Sequence, residues 1–225
     1  KQAFFNHIST NNKLGDLLDG LTYIVKDNLY LWGGASLKGS STIKLDADPT
    51  YNYFLICGAP SYGAASQDCT GTLRDFTIDM SPPSVQEIGL YLGSLDGLEV
   101  SNVKVKTRGK CSNKGIGGVN NNAFMTGQSR DNLIIDSCSI LKGSVGDGEC
   151  IGVESSNNLR ITNNSIRDGL AYDDLGVHKC TRVIIANNYM KSFDGRIYVS
   201  DSDIVEVHHN TIDYSSTSQG MGIYV

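Results

Sequence analysis

The feature that most limits how this chain can fold is a short apolar pattern that returns through its second half. Four copies begin 26, 24 and 22 residues apart: LIIDSCSI (133–140), LRITNNSI (159–166), VIIANNYM (183–190) and VEVHHNTI (205–212). A fifth copy, LEVSNVKV (98–105), precedes them by 35 residues. A period of this length indicates a repeat architecture, in which each unit buries its apolar residues against the next unit.

A second apolar column keeps the same variable spacing. Its members are LYL (90–92), AFM (123–125), IGV (151–153), LGV (175–177), IYV (197–199) and IYV (223–225). A unit of about 22–26 residues with three short strands cannot close on itself, so the units stack at the spacing of paired strands, about 4.8 Å. The sequence therefore predicts an all-β fold, a parallel β-helix with three strands in each coil.

The alternation assigns side chains to the two faces of each strand. In the column that contains IGV, LGV and IYV, the first and third residues are predicted to point inward. The remaining positions are predicted to point outward: Cys150, Gly152, Glu154, Asp174, Gly176, His178, Arg196, Tyr198 and Ser200. Asn164, Asn188 and Asn210 share one column at a bend. Asn tolerates the left-handed backbone that a sharp bend needs, and its amide can bond to the next coil.

The chain is predicted to be one domain, residues 1–225. Residues 1–20 have the pattern of a short amphipathic helix, which would cap the first coil, and residues 21–225 form the coils. The chain stops on MGIYV, midway through a coil. An open coil exposes an apolar edge, so we expect a longer protein that continues beyond residue 225.

Composition excludes several functional classes. The formal net charge is −5 and no basic run occurs, which argues against a nucleic-acid partner. No apolar run reaches the ~20 residues that a membrane helix needs, so no membrane insertion is expected. The six cysteines have no CxxC spacing, so no zinc site is predicted, and most of the thiols are expected to be free and buried. No cofactor is predicted apart from the Ca²⁺ alternative given below.

The repeats, with NNLRITNNSIRDG and VIIANNYM among them, resemble the right-handed parallel β-helix superfamily of pectate lyases, polygalacturonases and bacteriophage tailspikes. The opening GLTYIVKDNLYL and GASLKGSSTIKL is similar to the first coils of tailspike and capsule-depolymerase domains. The resemblance implies a bacterial surface polysaccharide as substrate, a homotrimer, and a location on the virion tail or otherwise outside the cell.

The same resemblance implies catalytic acids. In polygalacturonase-like proteins, acids come just before the outward strand on successive coils, and GECIGV and YDDLGV occupy those places here. The implied catalytic residues are Glu149, Asp173 and Asp174. The next coil has FDGRIYV where the family has a GHG motif, and the family's RIK motif is absent. These departures argue against a true polygalacturonase. A different glycosidase that uses the same acids remains an alternative.

Spacing supports the same acids independently. Glu149 and Asp173 are 24 residues apart, one coil, which predicts Cα atoms about 5 Å apart. Glycosidases use two carboxyl groups, about 5 Å apart for retention of configuration and about 6.5–9.5 Å apart for inversion. Around them, substrate-binding side chains are predicted on the same outer face: Glu154, His178, Arg196, Tyr198, Tyr91 and Phe124.

Four alternatives remain open from the sequence. The acids of GDGE and YDD could be turn formers. Asp147, Glu149 and Asp173 could bind Ca²⁺ through their carboxylates. A polysaccharide lyase would use His178, Lys179 or Arg196 to abstract a proton and Tyr198 as the acid. A non-catalytic adhesin or appendage module would bind glycan in the same groove without cleaving it.

Overall fold

The computed structural model describes residues 14–16, 19–25, 29–31, 36–45, 53–57, 69–80, 88–92, 95–107, 116–118, 130–142, 150–169, 175–192, 195–214 and 222–225. These segments consist of β-strands joined by turns and bends, and no helix occurs in them. Within the same residues, nothing has the helical length and apolar character needed to cross a membrane.

The strands form three parallel sheets, and the chain visits the sheets in turn. Sheet A contains β1 (Leu14–Asp16), β4 (Ser36–Lys38), β7 (Cys69–Arg74), β10 (Leu95–Ser101), β13 (Arg130–Asp131), β14 (Ile134–Asp136), β17 (Ser156–Thr162), β20 (Thr181–Ala186) and β23 (Asp203–His208). Sheet B contains β2 (Thr22–Val25), β5 (Thr42–Leu45), β8 (Thr77–Met80), β11 (Lys104–Thr107), β15 (Ser139–Lys142), β18 (Ser165–Gly169), β21 (Tyr189–Ser192) and β24 (Thr211–Tyr214). Sheet C contains β3 (Leu29–Leu31), β6 (Tyr53–Cys57), β9 (Ile88–Leu92), β12 (Ile116–Gly118), β16 (Ile151–Glu154), β19 (Leu175–His178), β22 (Arg196–Ser200) and β25 (Gly222–Tyr224).

This order makes the molecule a parallel β-solenoid, as the repeat predicted. Each strand pairs with the strand one coil earlier and one coil later in its own sheet. Leu159 pairs with Val183 and Val183 with Val205, so like apolar residues lie above one another. The right-handed sense was implied by the resemblance and stays a prediction.

The core is the stack of inward residues from all three sheets. Leu159, Ile161, Val183 and Ile185 are 0% exposed, and Ile151, Leu175 and Ile197 of sheet C are equally buried. The predicted inward faces are therefore confirmed in the described coils. Burial of each such aliphatic side chain contributes about 1.5–3 kcal/mol, so repetition over successive coils supplies the stability that no single coil has.

One member of the predicted sheet C column is wrong. The strand between β9 and β16 is Ile116–Gly118, with Ile116 paired to both Leu90 and Ile151. AFM (123–125) was predicted at this place, and those residues lie outside the described ones. The sequence pattern favours AFM at this place because AFM contains more apolar residues than IGG.

The predicted N-terminal cap lies mostly outside the described residues, at 1–13 and 17–18. Leu14–Asp16, within the same stretch, is a strand that pairs in parallel with Ser36–Lys38. The solenoid therefore begins inside the region where the sequence predicted a helical cap.

The bend between sheets A and B carries a ladder of buried amides. Asn164 and Asn188 are each 1% exposed. The Nδ2 atom of Asn164 donates to Oδ1 of Asn188 at 3.0 Å, and Nδ2 of Asn188 donates to Oδ1 of Asn210 at 2.9 Å. The same amides donate to backbone carbonyls of the preceding sheet A strand, Asn188 to Ile161 at 2.9 Å. The predicted bonds between coils are confirmed.

The left-handed residues of this bend are one position earlier than predicted. Positive φ occurs at Asn163 (58°), Asn187 (58°) and His209 (54°), and the next residue in each coil carries the ladder amide. The bend thus separates two tasks. One residue turns the chain outward in the left-handed conformation, and the next points its side chain into the interior.

Candidate functional site

The three predicted catalytic acids, Glu149, Asp173 and Asp174, lie outside the described residues, as do Asp147 and Phe124. The strands that follow them are described. Ile151 pairs with Leu175, a register offset of 24 residues, and the same offset separates Glu149 from Asp173 in the sequence. The stacking premise of the prediction is therefore confirmed at these strands, while the carboxyl pair and the Ca²⁺ alternative stay predictions.

The remaining predicted residues belong to sheet C. Tyr91 lies in β9 and is in register with Gly117, although its side chain is not among those the structure describes. Arg196, Tyr198 and Ser200 alternate with the inward residues Ile197 and Val199, so their side chains lie on the outer face. The alternation that the sequence predicted for β22 is confirmed.

The outer face of sheet C is more buried around β16 and β19 than the alternation predicted. Cys150 is 0% exposed, and Gly152 and Gly176 are also buried. The side chain of Glu154 is 7% exposed and forms an ion pair with Lys179, with Nζ and Oε1 3.2 Å apart. A buried carboxylate is retained in ionised form when an opposite charge and hydrogen bonds compensate the lost solvation. Glu154 is therefore a buried, paired acid rather than an open contact for substrate.

Three outward residues from successive coils occupy one register position. Glu154 pairs with His178, and His178 pairs with Ser200. The Oγ atom of Ser200 lies 2.8 Å from Nδ1 of His178, a hydrogen-bond distance. We call Glu154, His178 and Ser200 the outer column.

A residue in the left-handed conformation directly follows each of the three members of this column. The residues that directly follow it, Ser155, Lys179 and Asp201, have φ of 56°, 53° and 50°. Backbone bonds join them to the column, since the N–H of Ser155 donates to the carbonyl of His178 at 2.9 Å. Each outward side chain therefore directly precedes a left-handed residue, so successive coils present their column residues at equivalent positions of the turn.

Aromatic and cationic side chains flank the outer column. The rings of Tyr198 and Tyr224 are stacked, with centroids 5.1 Å apart and planes 11° apart. His178 lies 5.4 Å from the ring centroid of Tyr198, and Cζ of Arg196 lies 5.4 Å from the same centroid. Tyr224 is 50% exposed. We call Arg196, Tyr198 and Tyr224 the tyrosine platform.

Sequence reasoning placed Ser200 on the outer face but gave it no role, and it gave none to Tyr224. The signal was present, because Glu154, His178 and Ser200 follow one another at intervals of 24 and 22 residues. Those intervals are the steps of the apolar columns. A search for chemically complementary residues at the repeat spacing would have found the column.

Three cysteines whose side chains the structure describes are free and buried, as predicted: Cys138, Cys150 and Cys180. Burial, with a smaller contribution from the charge of Asp136, raises the pKa of Cys138 to about 12. A thiol of that kind is inert, because the thiolate is the nucleophile. Cys180 has a structural task, since its sulfur accepts the N–H of Ser156 at 3.4 Å and its own N–H donates to Oγ of Ser202 at 3.0 Å.

A second surface lies on the outer face of sheet A. A groove of about 460 Å³ runs along it, between a row of strand residues that includes Arg182 and Ile204 and a row that includes Ile134, Ile184 and Glu206. Ile204 is 67% exposed. Ile134 and Ile184 are also partly exposed on this face.

His208 and His209 lie beside Asn210 at the bend, and both are exposed. Their Nδ1 atoms lie 2.9 Å apart. Within the described part of the chain, no group of three His, Cys, Asp or Glu side chains is placed to hold a metal ion.

Comparisons with known proteins do not extend the resemblance. The chain matches no family model, no curated protein and no solved structure. Function must therefore be argued from the residues of the site.

Proposed function

We propose that the chain binds a bacterial surface polysaccharide along the outer face of sheet C and cleaves it by glycoside hydrolysis. The observation that carries the proposal is the tyrosine platform, in which two stacked rings and a guanidinium share one outward face. Tyr and Arg are the residues most often found at the centres of binding surfaces, because they bury large areas and still satisfy polar contacts.

The chemistry of the platform favours an acidic glycan. The flat rings of Tyr198 and Tyr224 suit the apolar faces of sugar rings. The guanidinium of Arg196 presents several N–H donors, which form charge-assisted hydrogen bonds to carboxylates. A polysaccharide that contains uronate residues combines both features, so it is the preferred ligand class.

Cleavage is assigned to Glu149, Asp173 and Asp174, which precede the strands of the same face in the sequence. The register offset of 24 between β16 and β19 supports two carboxyl groups on adjacent coils. Two like charges at that separation raise the pKa of one carboxyl, which keeps a general acid protonated while the other acts as nucleophile or base.

The platform is tested by affinity measurements on acidic polysaccharides with two matched variants. Tyr198→Ala removes a ring of the platform and should weaken binding about tenfold, the effect of losing one aromatic contact of about 1–1.5 kcal/mol. Tyr189→Ala is the control, because Tyr189 also lies under an arginine, 5.7 Å from Cζ of Arg167, but belongs to sheet B. Equal losses of affinity in the two variants, or no loss in either, would contradict the proposal that the outer face of sheet C binds the polysaccharide.

Cleavage is tested separately. Glu149→Gln and Asp173→Asn should retain folding and binding while product formation falls. New reducing ends without ultraviolet absorbance indicate a hydrolase, and unsaturated ends that absorb in the ultraviolet indicate a lyase. Binding without product on every acidic polysaccharide tested would replace the enzyme with a non-catalytic glycan-binding module.

The tailspike type of assembly, a homotrimer on a virion tail or otherwise outside the cell, is part of the proposal by resemblance. The exposed aliphatic residues of the sheet A groove support a subunit contact there. Sedimentation equilibrium should give three times the chain mass of 24.3 kDa. A single species at 24.3 kDa would contradict the trimer.

A further inference from the structure

The outer column is a set of three side chains that the proposed glycosidase does not use. Glu154, His178 and Ser200 occupy one register position on β16, β19 and β22. Adjacent strands are about 4.8 Å apart, so the three residues follow one another at that spacing with His178 in the middle. An acid, a histidine and a serine in that order are the components of a nucleophilic acyl-transfer site.

We propose that Ser200 and His178, positioned with Glu154, form a nucleophilic centre that hydrolyses short acyl esters, such as O-acetyl groups on sugars. The acyl-sugar specificity rests on the proposed glycan face, because the tyrosine platform adjoins the column. The ester chemistry itself does not depend on glycan cleavage.

The contact between Ser200 and His178 is the first support. Oγ and Nδ1 are 2.8 Å apart, and both residues are partly exposed, so an ester can reach the hydroxyl. The hydroxyl donates to Nδ1 when the imidazole carries its proton on Nε2. In that tautomer Nδ1 is the base that a serine nucleophile requires.

Glu154 is the second support. Its side chain is buried and forms an ion pair with Lys179, whose Nζ lies 3.2 Å from Oε1. A fixed negative charge one coil from His178 favours the imidazolium that forms when the serine gives up its proton. Glu154 is therefore a positioning residue that acts through His178.

The reaction balances with water as the only other reactant. Oγ of Ser200 bonds to the carbonyl carbon of the ester, and its proton passes to Nδ1 of His178. The bond between the acyl carbon and the alcohol oxygen breaks, and the alcohol leaves with that proton. Water then attacks the acyl-serine with His178 as base, which releases the carboxylic acid and restores the hydroxyl.

The bond to His178 sets Ser200 apart from a matched serine of the same fold. Ser165 also lies in a strand and is also partly exposed, but it belongs to sheet B and accepts a hydrogen bond from Nε of Arg167 at 3.2 Å. An arginine cannot remove a proton from a hydroxyl at neutral pH. The structure therefore provides a serine with a base and a serine without one.

The test uses the whole chain with p-nitrophenyl acetate and a fluorophosphonate probe. The wild-type protein should hydrolyse the ester, and peptide mapping should find the phosphonyl group on Ser200 with fluoride released. Ser200→Ala should lower kcat by about a thousandfold or more and abolish the label, whereas Ser165→Ala should retain both. Circular dichroism confirms that each variant is folded.

Two results would overturn the proposal. One is a folded wild-type protein that neither turns over the ester nor takes the label on Ser200. The other is a Ser200→Ala variant that keeps the turnover. Neither result bears on glycan cleavage, which is measured on a polysaccharide without acyl groups, so the two proposals fail separately.

The role of Glu154 needs a readout that a purely structural role would not change. Glu154→Gln should lower kcat and shift the acid limb of the kcat/KM profile to lower pH, because the imidazolium loses a nearby negative charge. Fluorophosphonate labelling of Ser200 should slow but persist. An unchanged pH profile in a folded variant would remove Glu154 from the centre.

Discussion

Two columns of polar side chains run along this solenoid, and they differ in their hydrogen-bonding partners and in their exposure to solvent. In the inner column, Asn164, Asn188 and Asn210 repeat one residue type. Asn164 and Asn188 each donate to the amide of the next coil, and all three amides donate to a backbone carbonyl. In the outer column, Glu154, His178 and Ser200 change identity at every coil, and the two last residues are partly exposed.

The difference separates a structural column from a reactive one. Identical amides in a stack satisfy one another because each carries both a donor and an acceptor, and the bonds strengthen a buried bend. In the outer column the hydroxyl group of Ser200 and Nδ1 of His178 are a proton donor and a proton acceptor 2.8 Å apart. In this fold the repeated amides stabilise a buried bend, whereas the outer column places a hydroxyl group beside an imidazole at a partly exposed position.

The largest expected contrast between the columns is in reactivity. Cys138 lies above Asn164 in the inner column, where its N–H donates to Oδ1 of Asn164 at 2.9 Å. Burial raises its pKa to about 12 from 9.0, so its thiolate population at pH 8 should be about a thousandfold below that of an ordinary thiol. Iodoacetamide should leave Cys138 unmodified in the folded protein, as measured by mass spectrometry, and modify it in guanidinium. Rapid alkylation of the folded chain at Cys138 would mean that the inner column is open.

The next contrast is in stability. Asn188→Ala removes two donated and two accepted hydrogen bonds and leaves buried groups of Asn164 and Ile161 without a partner. We expect a loss of about 3 kcal/mol in the free energy of unfolding, from urea denaturation. His178→Ala, the matched change in the outer column, should cost less than about 1 kcal/mol. Similar costs for the two variants would erase the distinction between the columns.

A smaller effect concerns pH at the same bend. Burial raises the pKa of Asp136, but hydrogen bonds from Thr162, Ser137 and Asn163 and the charge of Arg160 outweigh it, so the net pKa lies below 3.8. A lowered pKa contributes stability that is present above the unfolded value and is lost as pH falls through the folded value. Asp136→Asn should therefore be less stable than wild type at pH 7, with the difference shrinking below about pH 3.8. A constant difference from pH 7 to pH 2 would show that the charge of Asp136 does not contribute.

Most of the fold was predictable because its signal repeats. Leucine, isoleucine and valine return at steps of 22 to 26 residues, and the steps equal the register offsets of the paired strands. The prediction failed at Ile116–Gly118 because one isoleucine followed by two glycines gives little apolar periodicity. The predicted left-handed positions were wrong by one residue because Asn occupies both places of the bend, in Asn163–Asn164 and in Asn187–Asn188.

The candidate site was predictable only in part. Alternation placed Glu154, His178, Arg196 and Tyr198 on one face of sheet C. It does not reveal that Glu154 is buried against Lys179, because that depends on side-chain packing across coils. It also does not single out Ser200, a common residue whose importance comes from a neighbour 22 positions away.

The most direct test of the account is a kinetic comparison of Ser200→Ala, His178→Ala and the double variant on p-nitrophenyl acetate. When two residues act as one catalytic centre, removal of either one abolishes the same step. The kcat of the double variant should therefore lie within about twofold of that of Ser200→Ala. Losses that multiply in the double variant would show that residues from adjacent coils act independently, and they would contradict the outer column as a reactive unit.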